Sequence, residues 1–440
     1  AQYIVLIIAY LIPAIWMSTV KTGIPIPQLM QGQALQSIAA LEAAQGIAVG
    51  HAAPFSHGGY NALNFFLLVL CLMVGTASLP HVLMRYFTTP SVREARVSVA
   101  WSLLFIFILY FTAPAYAAFA KWTMLDLVAS GLTPENIAEK AGWMLNWAAA
   151  DNTLVQICGK AAVDAATVAA ACAEQGITNI GFANINLNAD MIVLATPEMA
   201  GMPYVISGLV AAGGLAAALS TADGLLLAIA NALSHDVYYK MIDQNAPTAR
   251  RLIVSRILLV VVAIAAAYVA STKPSDILAM VSWAFSLAAA GLFPALVLGV
   301  WWKRANSPGA IAGMIAGFGV CLYYLLGTRY GAVTFVDMWS WLSTARPEQL
   351  AQFAELKAAY AAAAPDAQAA AWTALDKFAQ TIANWGGVKN LSAAAFGLPV
   401  GFAVMYVVSK LTPEPSLEMQ HFIEEIRIPR GQTIMEEKTA

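Results

Sequence analysis

The sequence predicts an all-α polytopic membrane protein, and three observations carry that prediction: the composition, the length of the apolar runs, and the placing of basic residues between them. Sixty per cent of the 440 residues are hydrophobic and 11% are charged. Mean hydropathy is +0.67. An ordinary soluble domain carries about 25% charged residues, so this chain belongs to the polytopic membrane class. A formal net charge of -2 supplies no field for phosphates, and the basic residues are scattered through short connections. No nucleic-acid partner is expected, and the partner the composition requires is the lipid bilayer.

Windows of about 20 apolar residues, the length that crosses a hydrocarbon core as a helix, place eight spans at 2–20, 62–86, 97–120, 203–233, 252–271, 276–301, 308–326 and 393–410. Arg85, Arg93 and Arg96 flank the second connection, Lys240, Arg250 and Arg251 the fourth, and Lys303 with Arg304 the sixth. Under the positive-inside rule these connections are cytoplasmic. The membrane domain then covers 1–410, and the tail 411–440 lies inside. The expected location is the plasma (bacterial inner) membrane with a cytoplasmic C-terminus.

The connections near 21–61, 121–202 and 327–392 face outward in this scheme. The last two, extracytoplasmic insertions 121–202 and 327–392, are too long for bare loops. Residues 132–175 and 347–385 within them suit short amphipathic helices on the outer face, either as a lid or as surface decoration. Cys158 and Cys172 share the first insertion, where an oxidising side would allow a disulfide, whereas Cys71 and Cys321 fall in apolar spans and read as packing residues. Ala1 opens directly into an apolar run without Met, basic n-region or cleavage site. This reads as an internal starting point, with further residues before it.

The second span contains a break. After the apolar run from Phe65 to Met73 comes Gly75-Thr76-Ala77-Ser78-Leu79-Pro80. Gly and Pro this close free backbone groups, which a membrane tolerates only inside protein or along a cavity. Discontinuous helices of this kind build solute sites, so Gly75, Thr76, Ala77 and Ser78 are the candidate solute-binding residues. A plain proline kink is the simpler reading. His81 and Arg85, at i and i+4, can relay protons or steer an anion, or stand as a hydrogen-bonded His beside a snorkelling Arg.

The fourth span carries an acid, Asp223, inside the run YVISGLVAAGGLAAALSTADGLLLAIANALSHDVYYK. An Asp near the centre of a membrane helix costs about 2.5–3.5 kcal/mol on insertion scales, so it faces a partner, water or an ion. Ala217, Ser220 and Thr221 stand at i, i+3 and i+4, where a carbonyl and two hydroxyls face one way and suit a hard cation. Ala217, Ser220, Thr221 and Asp223 are therefore the candidate metal ligands. The plainer alternative has the hydroxyls bonding back to the preceding turn and the small residues serving helix packing. His235, Asp236 and Arg256 read as charges at helix ends. No Walker loop, zincin His pair, G-x-S-x-G elbow or Cys/His cluster is present, so no catalytic residues and no organic cofactor are expected.

Two stretches, GTASLPHVLMRYFTTPSVREARVSVAWSLLF and LVAAGGLAAALSTADGLLLAIANALSHDVYYK, resemble the sodium:solute symporter family, in particular its cation/acetate symporter branch. The resemblance runs from Ala1 to about Lys410 and is weakest in the two insertions. It implies a LeuT-like inverted-repeat core of which the chain holds the last helix of repeat one, all of repeat two and two peripheral helices. The family's sodium site matches Ala217, Ser220 and Thr221, and Asp223 falls where some relatives place a hydroxyl. The function implied is sodium-coupled symport of a small monocarboxylate by alternating access, with Na+ as coupling ion. The helices that complete both sites in the family, the missing N-terminal helices, are a further expected partner. Alternatives are another solute (pyruvate, propionate, proline or urea), proton coupling, a membrane sensor domain, or a scaffold that transports nothing; a tail this short cannot hold a kinase domain.

Overall fold

The computed structural model describes residues 2–47, 50, 51, 53, 55 and 61–427. Ala1, where the internal start is read, and residues 428–440 of the tail lie outside them. In chain order the first helices are α1 (Gln2–Thr22), α2 (Pro27–Ala44), α3 (Ala62–Ser78), α4 (Pro80–Leu83) and α5 (Val92–Ala129). The first insertion holds α6 (Ile137–Lys140), α7 (Gly142–Ala150), β1 (Val155–Ile157), β2 (Lys160–Ala161), α8 (Ala165–Glu174), β3 (Ile185–Leu187) and α9 (Ile192–Met199). Then come α10 (Tyr204–Asn231), α11 (Thr248–Ser271), α12 (Ile277–Gly291), α13 (Phe293–Trp301) and α14 (Ser307–Arg329). Last are α15 (Ala332–Trp339), α16 (Pro347–Ala362), α17 (Gln368–Ile382), α18 (Ala394–Leu411) and α19 (Leu417–Glu425).

Seven helices among the described residues are long and apolar enough to cross a membrane, and the bent pair α3 and α4 makes an eighth if it is one span. α11 shows why a bilayer is required. Its 24 residues include no buried one, while Leu252, Ile257, Val261, Ile264 and Tyr268 are all exposed. In water that apolar surface would be a liability, and in lipid it is solvated. The protein is an integral membrane protein.

The chain divides into two compact units, Ala1–Gly59 with Arg96–Asp276, and Tyr60–Ala95 with Ile277–Ala440. In the first, α1 lies along α10, where Gly213 has no room for a side chain: a Cβ there would stand 2.6 Å from that of Ala9. Met17, Ile38, Phe119 and Leu125 close a core between α1, α2 and α5. Glu42, 1% exposed, pairs with Lys121 at 2.5 Å and accepts the His51 amide at 2.7 Å. α2 has no counterpart in the sequence reading, which left 21–61 as a connection.

The first insertion departs from the expected set of short helices. It contains a three-stranded antiparallel sheet in the order β2-β1-β3, with Val155 opposite Leu187, and a core that includes Met144, Ile157, Val168 and Ile180. Cys158 and Cys172 form a disulfide with Cα atoms 5.2 Å apart. Asp164 caps α8 by accepting the Thr167 amide at 2.6 Å.

In the second unit α14 and α18 are the most closely packed pair, because glycines line the seam. A Cβ on Gly313 would meet Met405 Cβ at 2.6 Å, and one on Gly317 would meet the Gly397 carbonyl at 3.0 Å as well as the Ala290 carbonyl on α12 at 2.2 Å. Small residues at spacing four let membrane helices approach this closely. The second insertion folds α16 and α17 against α15, burying Phe353, Leu375, Ala379 and Ile382 with Phe335 and Tyr324. α19 is held at the end of α13, where Arg427 Nε donates to the Val300 carbonyl at 2.8 Å and Lys303 pairs with Glu424.

Candidate cation and solute sites

α10 is built from Ala, Leu and Gly in a run with little competing polar chemistry, and after Asn231 it continues as a π-helix over Ala232–Ile242. The helical spacing sets Ala217, Ser220 and Thr221 on one side. Thr221 Oγ1 donates to the Ala217 carbonyl at 3.2 Å. This is the back-bonding that helical hydroxyls favour. Ala217 and Ser220 are half-buried, whereas Thr221 and Asp223 are exposed.

Asp223 lies three residues beyond Ser220, on the flank of this face, and takes part in no ion pair among the described residues. An exposed carboxylate in a helix of this hydropathy cannot face hydrocarbon at low cost, so its side of α10 belongs to water, protein or an ion. Among the described residues no three His, Cys, Asp or Glu side chains gather as a transition-metal cluster. The donor set on α10, a carbonyl, two hydroxyls and a carboxylate, is all hard oxygen and fits a cation such as sodium.

The structure moves the break in the second span. Gly75, Thr76, Ala77 and Ser78 form the last turn of α3, and the helix interrupts at Leu79, whose ψ is 121°, before Pro80 opens α4 at a 50° bend. The backbone N–H groups of 75–78 therefore bond within the helix. The groups released at this end are carbonyls, the negative end of the helix dipole. The amides of these four residues are therefore not free to receive a carboxylate.

The reason is packing. Gly75 is a close-contact glycine, because a Cβ there would sit 2.5 Å from the Phe285 carbonyl oxygen on α12. Thr76 Oγ1 donates to Leu72 O at 2.7 Å and buried Ser78 Oγ to Gly75 O at 2.9 Å, so both hydroxyls turn back onto α3. His81 lies in α4, and Arg85 in the 3-10 turn Met84–Thr88 that follows it.

A residue that positions this broken helix escaped the sequence reading. Asn64, 3% exposed, donates to the Gly387 carbonyl at 2.8 Å and accepts the Lys389 amide at 2.8 Å, so the start of α3 is tied to the segment ahead of α18. Its signal was an Asn one turn inside an apolar run behind the cap Asn61, a pattern that also fits an ordinary helix start.

The sequence model of the sodium:solute symporter family matches residues 151–317, which include all of α10. An uncharacterized symporter of Cupriavidus necator is 43% identical over 366 residues, 83% of this chain and 45% of that protein. A monocarboxylic acid transporter of Corynebacterium glutamicum is 30% identical over 259 residues, 58% of this chain and 37% of the relative. A sodium/proline symporter of Escherichia coli is 30% identical over 133 residues, 30% of this chain and 26% of the relative. The chain thus spans less than half the length of these curated relatives. With α10 inside the matched region and the membrane helices on either side of it, the chain belongs to the sodium:solute symporter family, a family of LeuT-like helical transporters and not of enzymes.

Proposed function

We propose that this chain carries the sodium site of a symporter that moves a small monocarboxylate, such as acetate, by alternating access. The observation that carries the reading is the oxygen set of Ala217, Ser220 and Thr221 with the exposed Asp223, unpaired among the described residues, beside it on an otherwise apolar helix. Sodium taken by these oxygens would favour one conformation of the transporter by its differential affinity, and thereby bias solute binding. Asp223 adds a second cation or a proton to the cycle. The relative named a monocarboxylic acid transporter supports the solute class.

A second reading has proline as the solute, favoured by the relative named a sodium/proline symporter. Proline and acetate share a carboxylate, so the choice falls on what surrounds it. Gly75 to Ser78, ahead of the interruption at Leu79, stand in this proposal as residues lining the solute path, without the contacts to the carboxylate itself. The Cys158–Cys172 disulfide favours an oxidising, outward position for the first insertion. That agrees with a cytoplasmic C-terminus and a tail on the inner side.

Uptake of labelled acetate and labelled proline into proteoliposomes holding the full-length protein tests the reading. Accumulation of acetate with an inward sodium gradient, and its loss when potassium replaces sodium, is the expected result. Proline uptake alone selects the second reading, and uptake driven equally well by protons in sodium-free medium contradicts the sodium site.

A further inference from the structure

The first insertion and the start of α10 line an open surface pocket of about 590 Å³, within the range of roughly 300–1,000 Å³ typical of small-molecule sites. Trp143, Asn146 and Trp147 enter its wall from α7 at i, i+3 and i+4, Glu198 from the end of α9, and Tyr204 and Ser207 from the start of α10. On α7, Met144 and Ala148 are fully buried in the core stapled by the Cys158–Cys172 bond, and Trp143 and Trp147, half-buried, pack on that core while also lining the pocket.

Trp147 Nε1 donates to Glu198 Oε2 at 3.1 Å, so the carboxylate is held against an indole edge. Glu198 is the charged residue in the wall, which therefore attracts cations and repels anions. Three aromatic side chains share that wall, and their faces attract cations of diffuse charge within about 6 Å of the ring centroid. A small inorganic ion would exchange its hydration shell for mostly carbon. An alkylated ammonium gains apolar contact and cation–π attraction together.

We propose that this pocket binds a small organic ammonium ion, with Glu198 supplying the counter-charge and Trp143 and Trp147 the aromatic walls. The site is separate from the oxygens at Ala217 to Asp223, and the proposal stands whichever solute the protein carries.

Calorimetric titration of the full-length protein in detergent with choline chloride, at constant ionic strength, tests it. Saturable binding is expected, weakened tenfold or more by Glu198→Gln, which keeps the residue's shape and its bond to Trp147, and by Trp143→Leu. Affinity unchanged by substituting sodium for potassium would separate this site from the one on α10. If Trp143→Leu fails to fold, Glu198→Gln alone decides. The proposal is overturned by the absence of saturable binding, or by the same choline affinity in Glu198→Gln as in the parent.

Discussion

Lys273 pairs with Asp151 across 122 positions of sequence, joining the turn between α11 and α12 to the end of α7 in the first insertion. Lys273 holds a left-handed φ of 44°, which a side-chain-bearing residue adopts only under constraint. Its ammonium, with hydrogen bonds from Thr153, keeps the Asp151 carboxyl well below the ordinary carboxylate range. A depressed acid contributes stability above its unfolded pKa of about 3.9 and loses it only as pH falls through the lower folded value. The pair therefore persists through neutral and mildly acidic media. Lys273→Ala and Asp151→Asn should each speed hydrogen exchange in the 272–276 turn, with the double variant adding little. Additive effects would show that the residues do not act as a pair.

Glu42 and Lys121 make a harsher case because the acid is buried. Burial pushes the Glu42 carboxyl up, but hydrogen bonds from Lys121 and the His51 amide, with the lysine's charge, outweigh it and hold the carboxyl below its usual value. Removing one member of a buried pair leaves an uncompensated charge and costs about 3–5 kcal/mol. Lys121→Met should lower the melting temperature of the detergent-solubilised protein markedly at pH 7. The deficit should shrink as pH falls through the Glu42 pKa of the intact protein, since the parent then loses the same interaction. A deficit constant from neutral to acid pH would contradict the assignment.

Packing of α14 on α18 offers an internal control. Gly317→Ala would drive a methyl against the Gly397 carbonyl on α18 and into the Ala290 carbonyl on α12, whereas nothing lies within 4 Å of a Cβ on Gly319. Overpacking a close helix contact costs about 1–3 kcal/mol, and removing a helical Gly gains up to about 1 kcal/mol. Gly317→Ala should therefore lower the melting temperature and Gly319→Ala leave it level or raised. Equal behaviour of the two variants would contradict this seam.

The Cys158–Cys172 bond closes a loop of about 15 residues, a constraint of about 3 kcal/mol in the chain-entropy model. Denatured without reductant, the described chain should yield two titratable thiols, Cys71 and Cys321, and four after reduction. Four thiols before reduction would place the first insertion in a reducing compartment and reverse the orientation.

The sequence disclosed the fold class because length and hydropathy act on it directly: a 24-residue run such as α11 has no other stable home than a bilayer. The shared side of Ala217, Ser220 and Thr221 on α10 was legible because a helix's period is simple, and residues at i, i+3 and i+4 fall together. Tertiary packing hid the rest. Gly75 reads as a helix breaker, yet its role depends on Phe285 on a distant helix, and the interruption falls at Leu79. The sheet of the first insertion uses strands of two and three residues, too short for any alternation to register. Asn64 gained its role from two backbone groups 323 and 325 positions away in sequence, which no local pattern encodes.

The central claim is that the side-chain oxygens of Ser220 and Thr221, with the Ala217 carbonyl, hold the coupling sodium. Its most direct test is the sodium dependence of solute uptake by the full-length protein, parent against Ser220→Ala and Thr221→Ala, in proteoliposomes. Removing one oxygen ligand should raise the sodium concentration for half-maximal uptake about tenfold or more, the weight of roughly 1.4 kcal/mol, with protein incorporation unchanged. Sodium activation identical to the parent's in both variants would contradict the claim.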